Sequence, residues 1–361
     1  MTKIITIACW SITGLAITGL VLWLLYGSSF GLLRNGALSI WPIGTSWETL
    51  TGPYEPVDAY NVPVAGIDAM KINWEAGAVT INPYDGEDIR ITELAQRELS
   101  EDERLQFAIS DGTLTIRYHS RDIVLRRMPQ KRIEIHVPHS LSENLSNLTI
   151  DTVSGSINVD GINAGSQKVN AVSGSVMLKG SNADKLDVNT TSGSITIDSF
   201  EAREMKLRSV SGSLRISNGT SDDLDCGSTS GAINIGGSFQ NASLRSISGR
   251  VVLDNSALVT TVKVSSTSGG TELSGSFDNV DLSSVSGALS VSSSIIPSSL
   301  RASTTSGRVM IAIPDEGAIA INHSSTSGKL SSEVPVMMQA KDAQFRISTV
   351  SSNVDIVVIT A

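Results

Sequence analysis

Val188-Asn189-Thr190-Thr191-Ser192-Gly193-Ser194-Ile195-Thr196-Ile197 is the stretch that decides the fold of this chain. Val188, five residues before the glycine, is apolar, and so are Ile195 and Ile197, two and four residues after it. Such alternation is the signature of half-buried strands. The inward parity switches across Ser192-Gly193, from odd offsets before the glycine to even offsets after it. A strand whose facing residues change parity contains a bulge or corner, and glycine suits the backbone there.

The same pair recurs along the chain, with glycines at Gly155, Gly174, Gly193, Gly212, Gly231, Gly249, Gly269, Gly287, Gly307 and Gly328. Apolar residues hold the position five before the glycine in Ile150, Val169, Leu207, Cys226, Leu244, Val264 and Leu282. Self-similarity at a fixed period with strand corners predicts a β-solenoid. Neighbouring glycines are 18 to 21 residues apart, whereas Gly155, Gly193, Gly231, Gly269 and Gly307 are each 38 apart. The residue two before the glycine alternates as well, Val172, Val210, Ile247 and Val285 in one set and Thr191, Thr229, Thr267 and Thr305 in the other. Phe200, Phe239 and Phe277 recur at 39 and 38 residues. Together these predict an all-β parallel β-solenoid (β-helix) of about 38 residues per coil, with the three phenylalanines in an aromatic ladder and the threonines at a wall or core position.

The chain end keeps the offsets, with Ile347, Val354 and Ile356 placed around Ser352 in the glycine's position. An insertion at about 333–344 precedes it, and the whole reads as a degenerate terminal repeat that caps the stack. The apolar run Ile356–Ile359 then offers an exposed edge for self-association.

Upstream, residues 63–145 read as a β-rich cap and first coils, and 146–361 as the Ser-Gly solenoid. Ile133, Ile135 and Val137 alternate, and Asp111-Gly112 separates two strands, while Glu93–Arg104 is charged enough for an exposed helix or loop. Residues 1–3 are a cytoplasmic tail and residues 27–62, with Pro42, Pro53 and Pro56, an irregular linker. Between them, residues 4–26 are uncharged and mostly apolar. As a helix this segment spans about 34 Å, enough to cross a bilayer once. It is longer than a signal-peptide core and lacks a small-x-small cleavage site, which favours an uncleaved anchor. Lys3 before it and Arg34 after it place the amino terminus inside and the remainder on the outer, extracellular or periplasmic, side.

The Val/Thr-Ser-Gly-Ser-Ile pattern, as in Val153-Ser154-Gly155-Ser156-Ile157, and the lead-in Ile133-Glu134-Ile135-His136-Val137-Pro138 resemble the bacterial "putative adhesin" domain-of-unknown-function family over about residues 65–361. The resemblance implies an exported protein of the bacterial cell envelope, in some members accompanying envelope stress systems. Arg250, Arg308 and Lys329 depart from the pattern by replacing the serine after the glycine.

Little in the chain points to chemistry. A net charge of −9 excludes the basic footprint that a nucleic acid requires. Cys9 and Cys226 fall in the anchor and at a core offset, so no disulfide is expected. His119, His136, His139 and His323 share no metal-ligand spacing, and the calcium-binding nonapeptide is absent. Gly27-Ser28-Ser29-Phe30-Gly31 matches the nucleophile-elbow pattern but stands at the exit of a membrane helix instead of a strand-to-helix turn. Repeat acids such as Asp198, Asp222, Asp223, Asp254 and Asp278 fall in turns without a recurring partner. The expectation is a non-enzymatic, membrane-anchored binding or scaffold module without cofactor, whose partner is an envelope protein, a glycan or its own copy. The alternative is a glycan-active β-helix enzyme, which clustered carboxylates on one face would favour.

Overall fold

The computed structural model of the chain describes residues 53–119, 130–338 and 344–359. The anchor and most of the linker lie outside these residues, as does Cys9. Among the described residues no helix is long and apolar enough to cross a membrane. Glu55–Pro63, all but its last residue expected in the linker, forms a strand that pairs antiparallel with Asp88–Ala95. Pro56 and Pro63 are tolerated there because this is an edge strand.

The repeats form a parallel β-solenoid, and its register overturns the 38-residue coil. Val188 pairs with Leu207, Leu207 with Cys226, Cys226 with Leu244 and Leu244 with Val264. One coil is therefore about 19 residues, and successive Ser-Gly corners stack directly. At about 4.8 Å per strand the stack is roughly 50 Å long, about twice what the longer coil implies.

Each coil turns three times. The first turn is the Ser-Gly corner. The second carries left-handed backbone at equivalent positions, with φ of 63° at Gly161, 57° at Gly180, 52° at Ser199 and 53° at Asn218. At the third, two consecutive residues point outward, as Arg203 and Glu204 do between buried Ala202 and Met205. Aliphatic residues from every segment fill the interior as one continuous core.

The 38-residue rhythm has a different cause: adjacent coils select unlike neighbours. Phe200 pairs with Ser181, Phe239 with Ser221 and Phe277 with Val259, so the phenylalanines sit on alternate coils and do not stack on one another. A large ring beside a small side chain fills the corner at normal density, which two rings on adjacent coils would exceed. Outside, Lys168, Asp187, Lys206 and Asp225 pair in succession across neighbouring coils. Like charges at strand separation repel, so opposite signs alternate.

The Ser-Gly glycine is dictated by contact. A Cβ added at Gly193 would lie 1.7 Å from the carbonyl oxygen of Gly174, and one at Gly212 would lie 1.8 Å from that of Gly193. The stack of corners also begins earlier than the Ser-Gly series, because Gly155 rests on Gly77 and Gly77 on the Lys131 carbonyl. Gly77 follows an alanine, and so escapes a search for Ser-Gly.

The carboxy-terminal coils are out of chain order. Ala302 pairs with Ile347, and Ile347 pairs on its other side with His323. Likewise Val354 lies between Val309 and Leu330. The last segment of chain therefore inserts between the Gly307 and Gly328 coils. Two sequence expectations fall with this. The Ser352 repeat is internal rather than a cap, and of the expected Ile356–Ile359 edge Ile356 is paired on both sides, while Val357 and Val358 pair through the strand ladder only with Ala312 and Ile313. The Gly328 coil covers the end instead, with the short strand Val336–Met338 paired to Ile319–Ile321.

At the opposite end, strands at residues 55–63, 88–95, 106–110, 113–117 and 131–138 make the cap. Glu93, read as part of an exposed charged segment, is fully buried against Lys131 (2.8 Å). Lys131 Nζ also donates to the carbonyls of Glu103 (2.6 Å) and His119 (3.0 Å), which engages all three of its protons. The Tyr118 ring lies 4.0 Å and the Trp74 ring 5.3 Å from the same nitrogen.

Candidate binding surface

The longest repeated surface is the ridge of Ser-Gly corners. Inside it runs a row of buried hydroxyls three residues before each glycine. Thr190, Ser209, Ser228, Ser284 and Thr304 each accept a hydrogen bond from the glycine N–H of their own corner at 2.8–3.1 Å. Ser246 and Ser266 instead donate to the glycine carbonyl. Each such bond contributes about 1 kcal/mol and fixes the corner's shape. This row was legible, since nine of the ten Ser-Gly glycines have Ser or Thr three residues before them, the exception being Ala171.

Outside the corner, the residue two before the glycine is half-buried from Val172 to Thr229 and points to solvent from Ile247 onward. Ile247, Val285 and Val350 are 51%, 52% and 48% exposed. That overturns the wall or core position expected for Thr267 and Thr305, which are exposed in the same place, whereas Thr191 and Thr229 are half-buried. The serine before each glycine, from Ser173 to Ser286, is exposed too. The result is a straight ridge of alternating methyl-rich and hydroxyl-bearing side chains flanked by serines.

Other candidate groups are dispersed. His139 stands 3.5 Å from Asp85 on the surface, His136 packs against the Tyr84 ring, and His323 faces inward in the covering coil. Among the described residues no three His, Cys, Asp or Glu side chains gather as a metal site. Cys226 is a free thiol, buried in the core, and burial pushes its pKa far up. Burial draws the Lys131 ammonium below the ordinary lysine range, against the pull of Glu93, and burial raises the Glu75 carboxyl. With Lys131 fully enclosed, no substrate reaches that pair.

Among the described residues, two of the surface clefts bear on binding. One, of about 450 Å³, crosses the third turn of successive coils and is lined by Asn163, Asp184, Glu201, Arg203 and Asp222 among others. Asp184 is held by Arg203 at 3.4 Å. The other, of about 430 Å³, lies on the ridge beside Ser352.

A family model described as Toastrack DUF4097 matches residues 67–240 and 236–359. The chain belongs to the Toastrack DUF4097 family. Solved structures of similar shape include a "putative adhesin" from Parabacteroides distasonis, at 12% identity and a TM-score of 0.43, covering 84% of this chain and 98% of that one. A "putative adhesin" from Parabacteroides merdae follows at 11% identity and a TM-score of 0.38, covering 83% and 95%. A "putative lipid binding protein" from Parabacteroides distasonis shares 13% identity at a TM-score of 0.34, covering 83% and 96%. No curated protein matches the chain.

Proposed function

We propose that the protein is a non-enzymatic binding or scaffold module, anchored in the membrane by residues 4–26 and displayed on the outer side of a bacterial envelope. The observation that carries this reading is the outward ridge of Val, Ile and Thr flanked by serines. It presents one chemical unit again and again at strand spacing, over roughly 50 Å. A one-dimensional array of regularly alternating weak contacts suits an extended, repeating partner such as an envelope glycan, because many weak contacts multiply into avidity. The family resemblance to exported proteins supports the location, and the uncharged 4–26 segment supports the anchor.

The test is co-sedimentation of the full chain with insoluble envelope polysaccharide. Replacing Val210, Ile247 and Val285 together by lysine is expected to reduce the bound fraction at least tenfold with the fold unchanged by circular dichroism. Unchanged sedimentation would remove the ridge from the account. The acidic groove around Glu201 and Asp222 supports the second reading, a glycan-active enzyme. New reducing ends in the same sedimented material would move the assignment to it.

A further inference from the structure

Ser352 is the one corner residue of the Ser-Gly series that carries a side chain. At every neighbouring level the corner backbones touch. A Cβ on Gly307 would lie 1.9 Å from the Gly287 carbonyl oxygen, and one on Gly328 would lie 1.8 Å from that of Ser352. By the same stacking, the Ser352 Cβ faces the Gly307 corner, although the backbone bonds beside it are kept, Ser351 N–H to the Thr305 carbonyl and Val309 N–H to the Asn353 carbonyl, both at 3.1 Å. Strand register is nevertheless maintained on both flanks, Thr304 with Thr349 and Val309 with Val354. The side chain is therefore accommodated within the corner itself, where the cleft of about 430 Å³ opens between Ser306 and Arg308 on one coil and Ser351, Ser352, Asn353 and Asp355 on the next.

The lining is chemically specific. Ser352 is only 4% exposed, and its Oγ has no hydrogen-bond partner among the described residues. A buried hydroxyl without a partner calls for one in the cleft it lines. Arg308 Nε donates to Asp355 Oδ2 at 2.7 Å, so the strongest charges here are already paired with each other. The Asn353 Oδ1 accepts the Lys329 N–H at 3.1 Å, which leaves its amide NH₂ as the donor. Donors and acceptors are thus interleaved in a site with no net charge. An anionic ligand would meet the Asp355 carboxylate, and a cationic one the Arg308 guanidinium. A polyhydroxylated neutral ligand, whose adjacent hydroxyls both donate and accept, matches this mixture.

We infer that the Ser352 cleft binds a neutral pyranose unit of a glycan. The inference rests on the reading of the ridge as a binding surface and makes the cleft its one discriminating position. The ridge contributes repeated weak contacts, and the cleft reads a sugar ring.

Ligand-observed NMR on the full chain with glucose, galactose, mannose and N-acetylglucosamine in turn would test it. At least one sugar is expected to bind with a dissociation constant in the millimolar range. Ser352→Gly, which lets the corner close as its neighbours do, is expected to weaken that binding at least tenfold while leaving the fold intact. Arg308→Lys, which keeps the charge but loses the planar fork, should weaken it as well. Equal binding by wild type and Ser352→Gly would overturn the cleft, as would no binding of any of the four sugars. Displacement of the sugar by inorganic phosphate or acetate at equal concentration would overturn the neutral-ligand assignment. The ridge is judged separately. If Ser352→Gly still sediments with polysaccharide while the triple lysine variant does not, the ridge stands whatever becomes of the cleft.

Discussion

Gly212→Ala is expected to destabilise the protein by about 4 kcal/mol or more, placing it among the most damaging single substitutions available. The added methyl group would lie 1.8 Å from the Gly193 carbonyl oxygen and 2.9 Å from the Ser194 nitrogen. These are backbone atoms of a corner held by hydrogen bonds on both sides, Ser192 N–H to the Val172 carbonyl and Ile195 N–H to the Ser213 carbonyl among them. No rotamer change relieves the overlap, so the coils must separate and lose corner contacts above and below. Gly270→Ala is the control, because its added Cβ would meet nothing nearer than the Ala288 carbonyl oxygen at 3.8 Å. Urea unfolding followed by circular dichroism distinguishes the two. A Gly212→Ala midpoint equal to that of Gly270→Ala would refute direct backbone stacking at the corner.

The second large effect is expected at the capped end. Glu93→Gln should cost about 3–5 kcal/mol, the usual consequence of leaving one member of a buried ion pair without its partner. Both side chains are wholly inaccessible. Glu93 also accepts the Leu105 N–H through both oxygens, at 3.2 and 3.0 Å, and so ties the segment after the acidic 101–103 turn to the cap. The paired change Glu93→Leu with Lys131→Met removes both charges. It should recover most of the loss, though not the bonds to the Glu103 and His119 carbonyls. A double-mutant cycle on unfolding free energies measures the coupling. A Glu93→Gln variant within about 0.5 kcal/mol of wild type, the range of an ordinary surface change, would mean that the pair is not buried in solution.

The sequence reading of the repeat was sound where it relied on single strands. The apolar offsets around Gly193, the parity change and the corner at Ser-Gly all reflect the local geometry of one chain, and all appear in the structure. It failed where neighbouring strands choose each other. A 38-residue rhythm in Phe200, Phe239 and Phe277 is what a 19-residue coil produces when large must lie beside small and plus beside minus. Adjacent coils resist likeness at some positions, while the glycines demand it at others, and periodicity alone does not separate the two. The clue was available in Lys168, Asp187, Lys206 and Asp225, which would stack lysine on lysine in a longer coil.

The candidate site was half legible for a similar reason. That Ser352 replaces a glycine can be read from the sequence. That it lies between Gly307 and Gly328 cannot, because the spacing along the chain is equally compatible with a coil at the end. Glu93 and Lys131 were hidden too. They are 38 residues apart in a region without repeats, and a buried ion pair leaves no periodic trace.

The inserted carboxy-terminal coil also bears on how the molecule is made. Coils up to Gly307 can form in the order in which they leave the ribosome, each on the one before it. The Gly328 coil cannot, because the strands it rests on, Phe345–Thr349 and Val354–Val358, are synthesised after it. Growth of the stack therefore halts two levels short of completion and leaves Val309–Ile313 open on one side. The Gly328 coil closes the stack only once Phe345–Thr349 and Val354–Val358 have entered beneath it as a keystone.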